Sequence, residues 1–192
     1  MRLFFGLPVD EAVRNHVETA QNRLRSVAGK VKWVEPANFH FTLRFVGEAP
    51  EAEPIARAAE GAEEGLLPVT LALRGVGAFP NARRPRVIWA GLEHGGEALA
   101  ALSCRLNDRL EAAVGLLPEP RGFVPHLTIG RVKVPSTGDA LARLIDELRG
   151  EEFGEFAAAS FALYESTLTP RGPIYHAVRT YGVVNAQPGR EP

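Results

Sequence analysis

The chain has 192 residues but only one cysteine and one methionine. Cys104 alone excludes a disulfide framework within the chain and nearly excludes a Cys-based zinc site. It stands beside Leu102 and Leu106 in a helical pattern and reads as a small helix residue. Long hydrophobic runs are missing too. The opening MRLFFGLPVDEAV breaks at Leu7-Pro8, short of a signal h-region or a membrane span, and no later run approaches spanning length. The expectation is a cytoplasmic protein with no membrane partner. Charge of one sign is not in excess either. There are 22 basic and 23 acidic residues, a net charge of −1, so no global attraction to nucleic acid or membrane follows. Gly-x-Ser-x-Gly and a Walker-type lysine loop are absent, and Gly75-Val76-Gly77 lacks a third glycine and reads as a turn or bulge.

What is present suits an ordinary globular domain, with 45% hydrophobic and 23% charged residues. MRLFFGL reads as a buried strand. Asp10 offers an N-cap to a helix carrying Val13, Val17, Ala20, Leu24 and Val27 on one face and ending at Gly29. Three further helices are predicted. One runs from Glu51 to about Glu64, with Ile55, Ala58, Ala59 and Ala62 inward. Another covers Gly95 to Val114, is lined by Leu99, Leu102, Leu106 and Leu110, and stops at Gly115. The last follows a capping box of Ser136 and Asp139, buries Leu141, Leu144, Ile145 and Leu148, and ends at Gly150. Strand-like runs occupy 31–34, 40–46, 68–76, 86–92, 126–132, 159–169 and 173–181. Consecutive strands often lack a helix between them. That argues for an α+β fold with two largely antiparallel sheets rather than a doubly wound one. The expected domain is residues 1–184, with 185–192 as a frayed tail.

Two segments repeat. HFTLRFVGEAPEAEPIARAAE starts at His40 and HLTIGRVKVPSTGDALARLIDE at His126. Each opens His-apolar-Thr-apolar, places a valine six residues after the histidine (Val46, Val132), reaches a proline (Pro50, Pro135) and enters a helix. Ala56-Arg57 and Ala142-Arg143 stand sixteen residues after each histidine. With five histidines in the chain, chance predicts roughly 0.2 His-x-Thr matches, and about 0.04 once the apolar positions are required. The repeat reads as a duplication giving two pseudosymmetric lobes, with helices outside and a cleft between them. Residues i and i+2 of a strand share a face. His40 with Thr42, and His126 with Thr128, therefore face one way, while Phe41, Leu43, Leu127 and Ile129 face a helix layer.

Two histidines across a cleft suit an in-line displacement at phosphorus. One removes a proton from attacking water and the other protonates the departing ribose oxygen. Threonine hydroxyls donate to the non-bridging oxygens, where charge changes during reaction. The scheme calls for no cofactor. A zinc site is disfavoured, because a third protein ligand is missing at ligand spacing. Residues 66–92 contain four arginines and no acid: Arg74, Arg83, Arg84 and Arg86. Residues 120–138 and 166–190 are also free of acids and carry Arg121, Arg131, Lys133, Arg171, Arg179 and Arg190. A basic groove on an acidic body follows, suited to an anionic ligand. Arg84 and Arg86 are candidate substrate contacts on this ground. Tyr175, with Trp33, Trp89 and Phe79, offers faces on which bases stack.

RLFFGLPV, WVEPANFHFTLRFVGE, GVGAFPNARRPRVIWAGL, FVPHLTIGRV and LYESTLTPRGPIYHAV together span most of the chain. In these segments the sequence resembles the two-histidine phosphoesterases, specifically the RNA 2′,3′-cyclic phosphodiesterases, also called 2′-5′ RNA ligases. The resemblance implies a bilobal α+β fold with both motifs facing a central cleft. It implies metal-independent hydrolysis of an RNA 2′,3′-cyclic phosphate to a 2′-phosphomonoester, and weak, reversible 2′-5′ joining of tRNA halves. His40 then resembles the family's proton donor and His126 its proton acceptor, with Thr42 and Thr128 holding phosphate. Arg131 matches an arginine that the family often has after the second motif. Strict alternation points it away from His126 unless Gly130 makes a bulge. Arg44 is assigned no role. A monomer acting on RNA ends, tRNA fragments or nucleotides is expected. The alternative is a non-catalytic RNA-binding module using the same groove.

Overall fold

The computed structural model describes residues 1–120, 122–134, 138–170 and 172–183. The capping residue Ser136, together with Arg121, Arg171, Arg190 and the tail 185–192, lies outside them.

The apolar opening forms β1 (Arg2–Pro8), buried at five successive positions. Asp10 accepts from the Val13 amide at 2.8 Å and starts α1 (Glu11–Val27), as its capping chemistry demands. The helix buries Val13, Val17, Ala20 and Leu24, and also Gln21. A short strand, β2 (Val31–Trp33), then leads through a 3₁₀ turn to β3 (His40–Glu48), the first motif strand. α2 (Glu53–Ala58) is much shorter than the predicted 51–64. Gly61 and Gly65 adopt left-handed φ values of 74° and 71°, which break the helix into tight turns. Its inward residues Ile55, Ala58, Ala59 and Ala62 are nevertheless buried.

β4 (Val69–Phe79) and β5 (Val87–His94) form an antiparallel pair. α3 (Gly96–Val114) follows, with Leu99, Leu102, Leu106 and Leu110 buried. Gly115 closes it at φ 67°, where its amide reaches Glu111 O at 3.0 Å and the Leu116 amide reaches Leu110 O at 3.3 Å. β6 (Leu127–Val132) is the second motif strand, and α4 (Gly138–Glu147) runs into a 3₁₀ turn that buries Leu148. β7 (Glu152–Ala158) was not expected. A register shift against β4 and the positive φ of Gly154 interrupt its alternation, so EFGEFAA hides its strand period. β8 (Ser160–Thr169) and β9 (Gly172–Gly182) close the chain as a hairpin.

Among the described residues the strands run in the order β7-β4-β5-β6-β3-β1-β8-β9, with β2 beside β6. The two expected antiparallel sheets thus meet in one curled path, joined at its centre by β3 and β6. Their recorded partners are Phe41 and Leu127, each the residue after its motif histidine. Both are fully buried on the helix side. α1 packs on β7 and α4, α4 on β4, and α3 on β3 and α2. The opposite face of the curled sheet is left open as a cleft. No described helix is long and apolar enough to cross a membrane.

Candidate active site

The register of Phe41 and Leu127 sets the chemistry of the cleft floor. In an antiparallel pair, continuing that register puts His40 opposite Thr128 and Thr42 opposite His126. The two apolar partners point into the helix layer, so the two His-Thr pairs point the other way. A cleft of about 550 Å³ opens there, lined by His40, Thr42, Thr128, Arg131 and Tyr175 among others, while His126 is not among its lining residues.

The histidines are held alike. His40 Nδ1 lies 2.7 Å from Asn38 O, and His126 Nδ1 lies 2.7 Å from Val124 O. A carbonyl only accepts, so each Nδ1 carries the hydrogen and each Nε2 is left for chemistry. His40 Nε2 is 3.0 Å from Thr42 Oγ1. Aromatic walls fix the rings. Tyr175 meets His40 edge-on at 5.3 Å, Phe4 lies 4.9 Å from it, and Phe79 meets His126 edge-on at 5.1 Å. Gly6 of β1 lets His40 sit this close, because a Cβ there would stand 3.1 Å from its ring. Asn38 Nδ2 donates to Pro173 O at 3.0 Å, tying the approach of β3 to the hairpin that carries Tyr175.

Burial pushes both histidine pKa values below the ordinary 6.5, because desolvation disfavours the imidazolium. The carbonyl bonds oppose this, and the Arg131 charge adds to it at both rings. His40 also feels His126. Burial raises the Tyr175 phenol, with Arg131 and Arg2 pulling it back.

Arg131 lies in the cleft, against strict alternation. Along β6, Gly130 pairs with Ile88 and Thr128 with Trp89, so Ile129 has no β5 partner. This bulge moves Arg131 to the face of Thr128. Arg84 and Arg86 are not brought to the cleft lining. They stand exposed in the 80–86 connection that leaves the sheet after Phe79, whose ring meets that of His126. The Arg83 and Arg84 amides bond Asn81 Oδ1 there. Two arginines of the acid-free stretches are tied up in ion pairs, Arg74 with Glu93 and Arg179 with Glu53 and Glu60. Arg44 is buried away from the cleft, donating to Leu117 O. Of the aromatic candidates, Trp33 lines the cleft with Tyr175. Phe4, Arg2 and Lys32 also line it and were not picked out from sequence. Lys32 reaches it through strand register, pairing directly with Arg131, a signal that the linear chain does not carry. Glu35 is the one acid among the cleft-lining residues, so the described cleft is basic. No group of three metal-binding side chains occurs among the described residues.

A family model described as LigT like Phosphoesterase matches residues 7–89 and 96–175. The chain belongs to the LigT-like phosphoesterases. An RNA 2′,3′-cyclic phosphodiesterase of Methanothermobacter thermautotrophicus is 42% identical over 177 residues, covering 91% of this chain and 95% of that protein. One of Archaeoglobus fulgidus is 40% identical over 182 residues, covering 94% and 99%. A solved protein of Thermus thermophilus superposes with a TM-score of 0.77 at 33% identity, covering 95% of this chain and 97% of that one. As a LigT-like phosphoesterase, the chain carries its two His-x-Thr segments on the two central strands of its sheet.

Proposed function

We propose that this protein hydrolyses RNA 2′,3′-cyclic phosphate ends to 2′-phosphomonoesters, with no metal. The matched mounting of the two histidines carries this reading: each Nδ1 is fixed to a carbonyl two residues earlier, which leaves two Nε2 atoms for the reaction. His126 Nε2 takes a proton from water as the water oxygen bonds to phosphorus. The bond from phosphorus to the ribose 3′ oxygen breaks in line, and His40 Nε2–H protonates that oxygen. Before substrate binds, imidazolium His40 donates its Nε2–H to Thr42 Oγ1; bound substrate takes that hydrogen over at the 3′ oxygen, and the hydroxyl hydrogens of Thr42 and, from the other strand, Thr128 go to the non-bridging phosphate oxygens. Arg131 offsets the phosphate charge, and Tyr175 provides an aromatic face for the terminal nucleotide. Arg84 and Arg86 meet the RNA further along the rim. An RNA 5′-hydroxyl in place of water gives a 2′-5′ linkage by the same bond changes, which accounts for weak, reversible ligation of tRNA halves. The names of the relatives support this substrate class. The repeat and its central register support an origin by duplication within one domain, 1–184. We take that domain to act as a cytoplasmic monomer.

The test is incubation of a short RNA ending in a 2′,3′-cyclic phosphate with the protein in EDTA. Multiple turnovers to a 2′-phosphate end are expected. Loss of turnover on chelation, restored by a divalent ion, would overturn the metal-free mechanism. Stoichiometric binding without turnover would favour the RNA-binding module.

A further inference from the structure

The geometry points to Gln21 as a positioning residue whose side-chain amide holds the β6 bulge and thereby sets Arg131 into the cleft. This inference rests on the phosphodiesterase reading above. Gln21 stands on the apolar stripe of α1, between Val17 and Leu24, and is fully buried. Nothing about that stripe asks for a carboxamide. The bulge does. Ile129 has no β5 partner, and its carbonyl is engaged by Val34 and by α1. It accepts from the Val34 amide at 3.0 Å and from Gln21 Nε2 at 2.8 Å. The same nitrogen donates to Val34 O at 2.7 Å, so both amide hydrogens are used. One buried side chain thus joins the end of β2 to the bulged residue of β6.

The surroundings lock the same place. Gln21 Oε1 accepts from Arg25 Nη2 at 3.4 Å, and the Arg25 guanidinium lies 5.9 Å above the Trp33 ring. Trp33 in turn covers Gly130, where a Cβ would come within 2.9 Å of its ring. Thr128 and Arg131 are three residues apart, yet both line the cleft, which strand alternation forbids without the bulge. Without the amide, the Ile129 and Val34 carbonyls each lose a buried donor. A register slip that regularises β6 then becomes competitive, and that slip turns Arg131 off the cleft face.

The readout is the titration of the histidine rings, followed by NMR in the substrate-free protein, with orthophosphate affinity alongside. The charged and titratable groups around the two rings are Arg131, the other histidine, Tyr175 beside His40, and Arg2, Lys32 and Glu35 along the cleft. Arg131→Gln is expected to raise both histidine pKa values and to weaken orthophosphate binding about tenfold to a hundredfold. Gln21→Met, which keeps the volume and removes the donors, should do the same in the same direction. Adding Gln21→Met to Arg131→Gln should then change neither reading further. Gln21→Asn, a shorter amide that cannot span both carbonyls, is the second variant if the first folds poorly. Leu24→Ala on the same helix face should lower stability and leave both titrations in place. Wild-type titrations and phosphate affinity in folded Gln21 variants, or full additivity with Arg131→Gln, would overturn the proposal. These readings need no turnover, so failure of the phosphodiesterase reading would show separately, as an unmutated protein that does not cleave RNA.

Discussion

His40 and His126 differ in their walls but not in their mounting. A backbone carbonyl orients each ring whatever side chain precedes it, so Asn38 and Val124 do the same work. Replacing either histidine with alanine should cost about 10²–10⁴-fold in turnover, the usual worth of a positioned proton-transfer group. The double variant should be far more active than the product of the two single effects, because the pair acts as a unit. Single-turnover cleavage checks both statements, and a near-wild-type rate in either single variant removes its role. The threonines are subtler. Thr42→Val and Thr128→Val keep the β-branched shape and lose the hydroxyl, so about 10²-fold of turnover should go, as for one oxyanion donor. Wild-type rates in both would make them plain strand residues. Arg131 shows how a side chain's role can hang on backbone it does not touch. Its face of β6 is chosen by the unpaired Ile129 before it in the strand.

Elements obeyed the sequence where one physical signal dominated. α3 begins and ends where its leucine stripe and Gly115 place it, and α1 starts at its Asp10 cap. Gly115 offers a clean test. Its φ is 67°, and no atom lies within 4 Å of where a Cβ would stand, so Gly115→Ala meets backbone strain and nothing else. A loss of about 1 kcal/mol in urea unfolding is expected, with unchanged cleavage rates. A neutral or stabilising change would mean that the helix end relaxes out of the left-handed region. Where signals competed, the reading failed. The alanine-rich face of α2 outlasts its helix, since burial needs only the inward side chains while Gly61 and Gly65 turn the backbone. β7 was invisible because its bulge puts Phe153 and Phe156 out of strand period.

At the scale of the whole molecule, the cleft couples stability and activity to pH. Burial lowers both histidine pKa values below 6.5, with Arg131 adding to the effect. One histidine must be protonated at the start of the reaction and the other neutral. Activity in the free enzyme therefore falls as pH rises through the lowered values, and kcat/KM should peak below pH 6.5. A bound phosphate anion favours the imidazolium, so the falling limb of kcat should lie at higher pH than that of kcat/KM. Paired pH–rate profiles measure this, and a kcat/KM maximum near pH 8 would contradict it. Stability runs the other way. Below 6.5 the unfolded chain binds protons that the folded histidines resist, so Tm should fall as the pH drops from 7 through the lowered values and level off beneath them. Replacing both histidines with asparagine should flatten that slope.

The α+β class, the paired His-Thr motifs and the face that each presents are legible in the linear chain. These depend on local periods and on a repeat, which a linear chain carries in full. Contacts between distant segments set the rest. Phe41 against Leu127 brings together motifs that lie 86 residues apart, with His40 facing Thr128. The bulge beside Gly130 puts Arg131 in the cleft, while the 80–86 connection keeps Arg84 and Arg86 off its lining. Gln21 acquires its role from carbonyls at positions 34 and 129, and Arg2 and Lys32 acquire theirs from neighbouring strands. Strand register and bulges are set by contacts between distant segments, so no window along the chain contains them.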